Sequence, residues 1–291
     1  MANVHAIIVT YNPDIKVVAS NIKKLLCDKS ISRVHIVDNT PDGANLEGCK
    51  SDNVDIKCFY KNIGIAAAQN FGIKVAVDSC ADYIVLFDQD SALSSDLVSG
   101  LVNAMSVAKK SKLRLACIGP RPLDVFTGEK YKPRVQAELK SLNRITICRQ
   151  IIASGKLIDV DALKIVGFME DDLFIDAVDH EWCWRAYKKG FSVAIAEDVI
   201  MPHTLGDSRG SLFGFKYRIG APIRLYYQFR NILVLLRRDY VPFYWKIRSI
   251  FSVSVRFVVF GFIQRDSNER RKYMLKGVKD GIAKRMGEYN S

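Results

Sequence analysis

Along the first 90 residues, short apolar runs rich in β-branched side chains alternate with longer stretches in which apolar residues recur every three or four positions. The run VHAIIVTYN (4–12) predicts a buried strand ending at Asn-Pro, and DIKVVASNIKKLL (14–26) predicts a helix with an aspartate at its start. RVHIVDNT (33–40) and VDIKCFY (54–60) predict two more strands, GIAAAQNFGIKVAVDSC (64–80) a helix, and DYIVLFDQD (82–90) a fourth strand. Such short alternation predicts an α/β fold, a mostly parallel sheet with helices on its faces. Ligands of these sheets collect at the carboxyl ends of the strands, where loops lead into helices. The polar residues stand there: Thr10, Tyr11 and Asn12 after the first strand, Asp38 and Asn39 after the second, Asn62 and Gly64 after the third, and Asp88-Gln89-Asp90 after the fourth.

Two aspartates one residue apart at the end of an apolar strand have two readings. They form a turn and helix cap, for which Ser91 and Ser94 are also suited, or they supply oxygen ligands to a hard divalent cation. Mg²⁺ or Mn²⁺ bridges protein carboxylates to substrate phosphates, so the second reading predicts a nucleotide diphosphate ligand. No G-x-x-x-x-G-K-[ST] loop and no G-x-G-x-x-G follows the first strand, which argues against a P-loop nucleotidase and a dinucleotide-dependent dehydrogenase. A nucleotidyltransferase shares the sheet and the metal, but it calls for a Gly-rich, basic loop where this chain has Tyr-Asn-Pro.

Composition adds three points. With 291 residues and 49 % hydrophobic content, the chain can bury a large core. Its seven cysteines are scattered without a Cys-x-x-Cys pair, and the N-terminus lacks a signal-peptide pattern; both predict a reducing, cytoplasmic setting. The net charge of +12 is not spread evenly: residues 1–200 hold 25 Lys+Arg against 25 Asp+Glu, and residues 201–291 hold 18 against 6. The basic third contains RLYYQFRNILVLLRRDYVPFYWKIRSIFSVSVRFVVFGFIQR (224–265), in which no stretch of about 18 apolar residues is free of charge. This pattern predicts an amphipathic region lying on an anionic membrane, inserting Phe243, Tyr244, Trp245, Phe251 and Phe257, with Lys246, Arg248 and Arg256 at the lipid headgroups. A helical subdomain with a basic exposed face is the alternative. Nucleic-acid binding is a third, but no helix-turn-helix or RNA-binding motif accompanies the charge, so no nucleic-acid partner is expected.

The segments AIIVTYN, IVDNT, NIGIAAAQNFGI and LFDQDS, in this order, resemble the family 2 glycosyltransferases of GT-A fold. Gln89 between the aspartates resembles the bacterial rhamnosyltransferases that use dTDP-L-rhamnose; UDP-hexose donors are the alternative. The resemblance continues through GFMEDDLFIDAVDHEWCWRAYKKGF (167–191) and PHTLGD (202–207) to APIRLYYQFRNILVLLRR (221–238). It implies a catalytic domain over residues 1–215, a helical membrane-associating region over 216–291, and peripheral attachment to the inner face of the cell membrane. The implied acceptor is a polyprenyl-diphosphate-linked saccharide in surface polysaccharide (O-antigen or capsule) assembly.

The same resemblance places Thr10, Tyr11 and Asn12 around the base and ribose, and Asp38 at the base edge as an acceptor. It places Asn62, Gly64 and Asn70 along the nucleotide, with the helix N-terminus facing the diphosphate. Asp88 is then the ribose-side aspartate, and Asp90 and His203 are metal ligands. An inverting transfer also needs a general base, for which FIDAVDHEWCWR offers Asp176, Asp179 and Glu181. Alignment with the family's Glu-Asp-x-Asp pattern puts Asp179 at the catalytic aspartate and Glu181 at the second acid, with Val178 where the pattern has Glu. ASGKLID (153–159) resembles the segment lining the acceptor side.

Overall fold

A computed structural model describes residues 2–124, 140–203, 209–212, 215–218, 220–264 and 266–290. The predicted strands appear as β1 (Val4–Thr10), β2 (Ile31–Asp38), β3 (Val54–Cys58) and β4 (Tyr83–Asp88). They are followed by β5 (Leu115–Asp124), β6 (Lys140–Leu142), β7 (Ile145–Cys148), β8 (Lys156–Asp159) and β9 (Ser192–His203). Among the described residues these nine form one sheet in the order β3-β2-β1-β4-β8-β5-β9-β7-β6. A separate hairpin pairs β10 (Arg209–Leu212) with β11 (Phe215–Arg218). β1 runs parallel to β2 and β4, β2 runs parallel to β3, and β8 enters antiparallel between β4 and β5. Chain order reverses on either side of β1, and this switch point opens a crevice at the carboxyl ends of β1, β2 and β4.

Helices cover both faces. α1 (Ile15–Cys27) and α3 (Leu97–Lys110) pack with Ile8, Ile36, Val85 and Phe87 on one side. α2 (Ile65–Asp78), α4 (Val160–Val166) and α5 (Val178–Lys188) pack with Ile7, Val37, Ile84 and Leu86 on the other. The strict alternation of Ile7 and Ile8, and of Ile84 and Val85, between the two cores explains why these strands read as unbroken apolar runs. Asp14 caps α1 by accepting from the Lys16 N–H, as its place before the apolar period requires.

The C-terminal region consists of α6 (Pro222–Leu236), α7 (Phe243–Val258), a π-helical turn at Val259–Ile263 and α8 (Ser267–Ile282). α6 and α8 lie close because Gly277 and Gly281 face α6; a Cβ at Gly277 would stand 2.5 Å from the Tyr226 carbonyl oxygen. That oxygen belongs to a helix backbone and cannot yield. Gly277→Ala is therefore expected to lower stability by about 1–3 kcal/mol, read as a lower urea midpoint at unchanged m-value.

Candidate active site

At the switch point the four strand ends are bound to one another. Gln89 ties β4 to β1, accepting from the Tyr11 N–H at 2.8 Å and donating to the Tyr11 carbonyl at 3.2 Å. The amide between the two aspartates thus fixes the angle at which Asp88 and Asp90 leave the strand. Fully buried Asp38 accepts from the hydroxyls of Thr10 (2.7 Å) and Thr40 (2.8 Å) and from the Ala44 N–H (2.9 Å). Its carboxylate organises the loop after β2, and Thr40 in turn accepts from the Asn12 N–H. Tyr11 is exposed at the rim, with a phenol ring free to meet a ligand. Asn39 donates to the Gly64 carbonyl, while its buried Oδ1 has no hydrogen-bond partner among the described residues. An unsatisfied buried acceptor beside the strand ends marks a place for a ligand donor.

The third strand end departs from expectation. Asn62 accepts from the Gly64 N–H at 3.0 Å, and Gly64, with φ of 85°, has room for no Cβ because the Phe174 ring and carbonyl lie within 2.8 Å of where it would stand. The Phe174 carbonyl also takes the first N–H groups of α2, those of Ile65 (2.8 Å) and Ala66 (3.4 Å). This helix N-terminus is closed by protein, so it is not the diphosphate cradle that the sequence suggested. Asn70 does not lie free along a nucleotide either; its amide bonds Met169 and Asp171 and joins α2 to the segment before α5.

Asp90 and Asp179 both stand near enough to Asp88 for their charges to act on it. Burial pushes the Asp88 carboxyl up to about 6, the negative charges of Asp90 and Asp179 add to that push, and Arg224 opposes it. Asp179 sits in the first turn of α5 as predicted, 24 % exposed, with its own backbone carbonyl held by the buried Lys156 ammonium at 3.0 Å. Asp176 is bound through both oxygens by Arg224, at 2.8–3.2 Å. Glu181 is corrected from second acid to structural ion: it is 0 % exposed and held by Arg185 at 2.9 Å and the Tyr240 hydroxyl at 2.8 Å. Arg185 stands four residues after Glu181, on the same face of α5. His203 ends β9, paired with Asp124, and its side chain lies outside the described residues.

The loop before Asp179 is strained. Phe174, Asp176 and Ala177 all have positive φ, between 64° and 67°, in a region that costs a side-chain-bearing residue on the order of 1–3 kcal/mol each. It is held from α6: Asn231 donates to the carbonyls of Leu173, Ile175 and Asp176, and buried Arg230 donates to those of Asp172 and Leu173. Sequence reading missed Arg230, Asn231, Lys156 and Arg224 as parts of the site. Their partners are mostly backbone carbonyls, which carry no sequence signature. Ser91 and Ser154 hydroxyls join the Asp-x-Asp turn to the ASGKLID segment, which lines a cavity of about 260 Å³ together with Gln150, Ile151, His180 and Arg248.

No family model matches the sequence. The dTDP-rhamnosyl transferase RfbF of Shigella flexneri is 30 % identical over 292 residues, 97 % of this chain and 96 % of the relative. The chain belongs to the family 2 glycosyltransferases, in their rhamnosyltransferase branch. Solved glycosyltransferases share the fold. TarS of S. aureus, residues 1–349 in complex with UDP-GlcNAc, superposes with a TM-score of 0.58 at 15 % identity, covering 97 % of this chain and 82 % of that one. GalNAc-T7 with UDP, GalNAc and Mn²⁺ gives 0.59 at 14 %, covering 97 % and 56 %. The mixed sheet flanked by helices is thus the GT-A architecture of this glycosyltransferase.

The clamp on the strained loop has a measurable consequence for the transferase. Asn231→Ala leaves buried carbonyls without a donor and is expected to cost about 1–3 kcal/mol in urea denaturation. In the folded fraction it should slow sugar transfer more than it raises the KM for the nucleotide sugar, because the loop orients Asp179.

Proposed function

We propose that this glycosyltransferase is an inverting, metal-dependent enzyme. In this reading it moves L-rhamnose from dTDP-L-rhamnose to a polyprenyl-diphosphate-linked saccharide during assembly of O-antigen or capsule. The observation that carries the reading is the switch point itself, where the ends of β1, β2 and β4 are tied together, Asp88 and Asp90 leave β4, and Asp179 at the start of α5 is near enough to act on the Asp88 charge. The name of the Shigella flexneri relative supports the donor. Thr10, Tyr11, Asn12 and Asp38 would surround base and ribose, Asn62 and Gly64 would border the nucleotide, and the open Asn39 Oδ1 offers an acceptor there.

Among the described residues no three His, Cys, Asp or Glu side chains converge into a metal cage. Carboxylates at the end of β4, with like charge beside buried Asp88, have the oxygen chemistry that a Mg²⁺ or Mn²⁺ would take. Asp90 and His203 would hold it, and Asp88 would face the ribose. When bound, such a cation neutralises the charge that gathers on the leaving diphosphate. Asp179 takes the acceptor hydroxyl's proton as that oxygen attacks the sugar from the face opposite the diphosphate. One such displacement turns a β-L donor into an α-L-rhamnoside.

In this reading residues 1–215 carry the reacting groups, α6 supports them through Arg224, Arg230 and Asn231, and the rest of 216–291 brings the enzyme to the cytoplasmic face of the membrane. No helix among the described residues is long and apolar enough to cross a membrane. α7 instead exposes Phe243, Ile247, Ile250, Phe251, Val255 and Val258 along one side, and Phe262 and Ile263 extend the stripe. The surrounding excess of Lys and Arg complements anionic headgroups. This revises the inserting set: Phe243 and Phe251 stay, whereas Trp245 is buried against Trp184, Tyr244 bonds Gln150, and Phe257 packs against Phe229.

Four experiments test the proposal. Incubation with a panel of nucleotide sugars and Mg²⁺ or Mn²⁺ should release nucleoside diphosphate from dTDP-L-rhamnose rather than from UDP-hexoses. Asp90→Ala or excess EDTA should abolish that release; full activity in EDTA removes the metal from the mechanism. Asp179→Asn should keep donor affinity while turnover falls by about 10²–10⁴-fold, and a collapse of donor affinity instead would move Asp179 to the nucleotide site. In flotation, anionic vesicles should carry the protein, weakly at high salt and poorly for Phe251→Ser with Ile247→Ser; steeply salt-dependent binding to DNA or RNA in place of vesicles would defeat the membrane assignment.

A further inference from the structure

α7 has two unlike faces. At 100° per residue, its exposed apolar stripe centres on the side away from Ser249, Ser252 and Arg256, with exposed Arg248 at the edge between the two faces. Those four line a cavity of about 280 Å³ between α7, α6 and the start of α5, with Asp176 and His180 in its wall. The cavity holds more positive charge than its own acid balances. Asp176 is already neutralised by Arg224, and Arg256, although largely enclosed, has one hydrogen-bond partner among the described residues, the Gln228 side-chain oxygen. Burial and the neighbouring Arg224 and Arg248 charges hold the Arg256 pKa below its ordinary value, against the pull of Asp176. An enclosed guanidinium without a bound carboxylate favours an incoming anion.

We propose that this cavity binds the diphosphate of the lipid-linked acceptor. The inference rests on the reading above that the acceptor is a lipid-linked saccharide. Arg248, Ser252 and Arg256 recur every four residues, spanning about 12 Å of helix axis, which suits two phosphoryl groups better than one. His180 and Arg248 also line the neighbouring 260 Å³ cavity, and His180 directly follows Asp179. A saccharide attached to the diphosphate enters that second cavity and reaches the base, while the opposite side of the same helix meets lipid. Arg248 and Arg256 thus bind an acceptor group instead of serving as general contacts to headgroups.

Farnesyl diphosphate titrated into the full-length protein provides the test, read by tryptophan fluorescence, since Trp245 lines the cavity. Wild type should bind it. The Arg248→Gln, Arg256→Gln double variant should bind at least about tenfold more weakly, while its affinity for dTDP with Mg²⁺ stays as in wild type. Arg248→Gln alone alters an exposed side chain and should show a smaller loss in the same direction, which keeps the test open if the double variant does not fold. Equal binding by wild type and both variants overturns the proposal. Displacement of farnesyl diphosphate by dTDP and Mg²⁺ also overturns it, by placing the probe in the donor site. Inorganic pyrophosphate binding as tightly as farnesyl diphosphate refutes the lipid-linked source. An Arg-dependent farnesyl diphosphate site in a protein that releases no dTDP from dTDP-L-rhamnose supports the cavity and removes the donor reading alone.

Discussion

The arrangement of the site depends on two side chains of α6 that hold a run of main-chain carbonyls. Arg230 and Asn231 together bind the carbonyls of Asp172, Leu173, Ile175 and Asp176, in a loop whose φ angles its side chains disfavour. Without those donors the loop has no reason to keep its shape, and three neighbours lose their reference. α2 loses the carbonyl that caps its first turn, Gly64 loses the ring it packs against, and Asp179 loses the fixed backbone that leads into its helix. Backbone strain beside a reacting group persists only where surrounding structure over-determines it, and here a charged and a neutral amide-type donor do so from one helix.

Much of the fold was legible in the sequence because it is written in side chains. The β-branched runs of β1, β2 and β4 feed two cores at once, and the period of α1 with Asp14 before it gives its start. Asp88 and Asp90 stood out as a carboxylate pair at the end of an apolar strand, and Asp179 through the resemblance to the family's Glu-Asp-x-Asp pattern. What stayed hidden was written in the backbone. Nothing in the letters shows that Gln89 bridges to Tyr11 through its amide, or that the Phe174 carbonyl would close the N-terminus of α2.

The acids and aromatics show a second kind of limit, in which composition is visible and direction is not. Glu181 and Asp179 differ by two positions, so they point to different sides of α5, one into a buried cluster with Arg185 and Tyr240 and the other into the crevice. In the same way Phe243 and Trp245 are near neighbours on α7, yet one faces outward and the other packs on Trp184. Aromatic content alone groups them; the helical period separates them.

The attachment of Gly287 bears on the order in which the molecule is made. Its N–H donates to the Asp172 carbonyl at 2.8 Å, and its carbonyl accepts from Arg230. Strands β1 to β4 lie within the first 90 residues and can begin to pair as they leave the ribosome. The loop that aims Asp179 waits for a glycine synthesised more than a hundred residues later. The loop before Asp179 therefore gains its last hydrogen bonds only after Gly287 has been made, long after the strands beside it have left the ribosome.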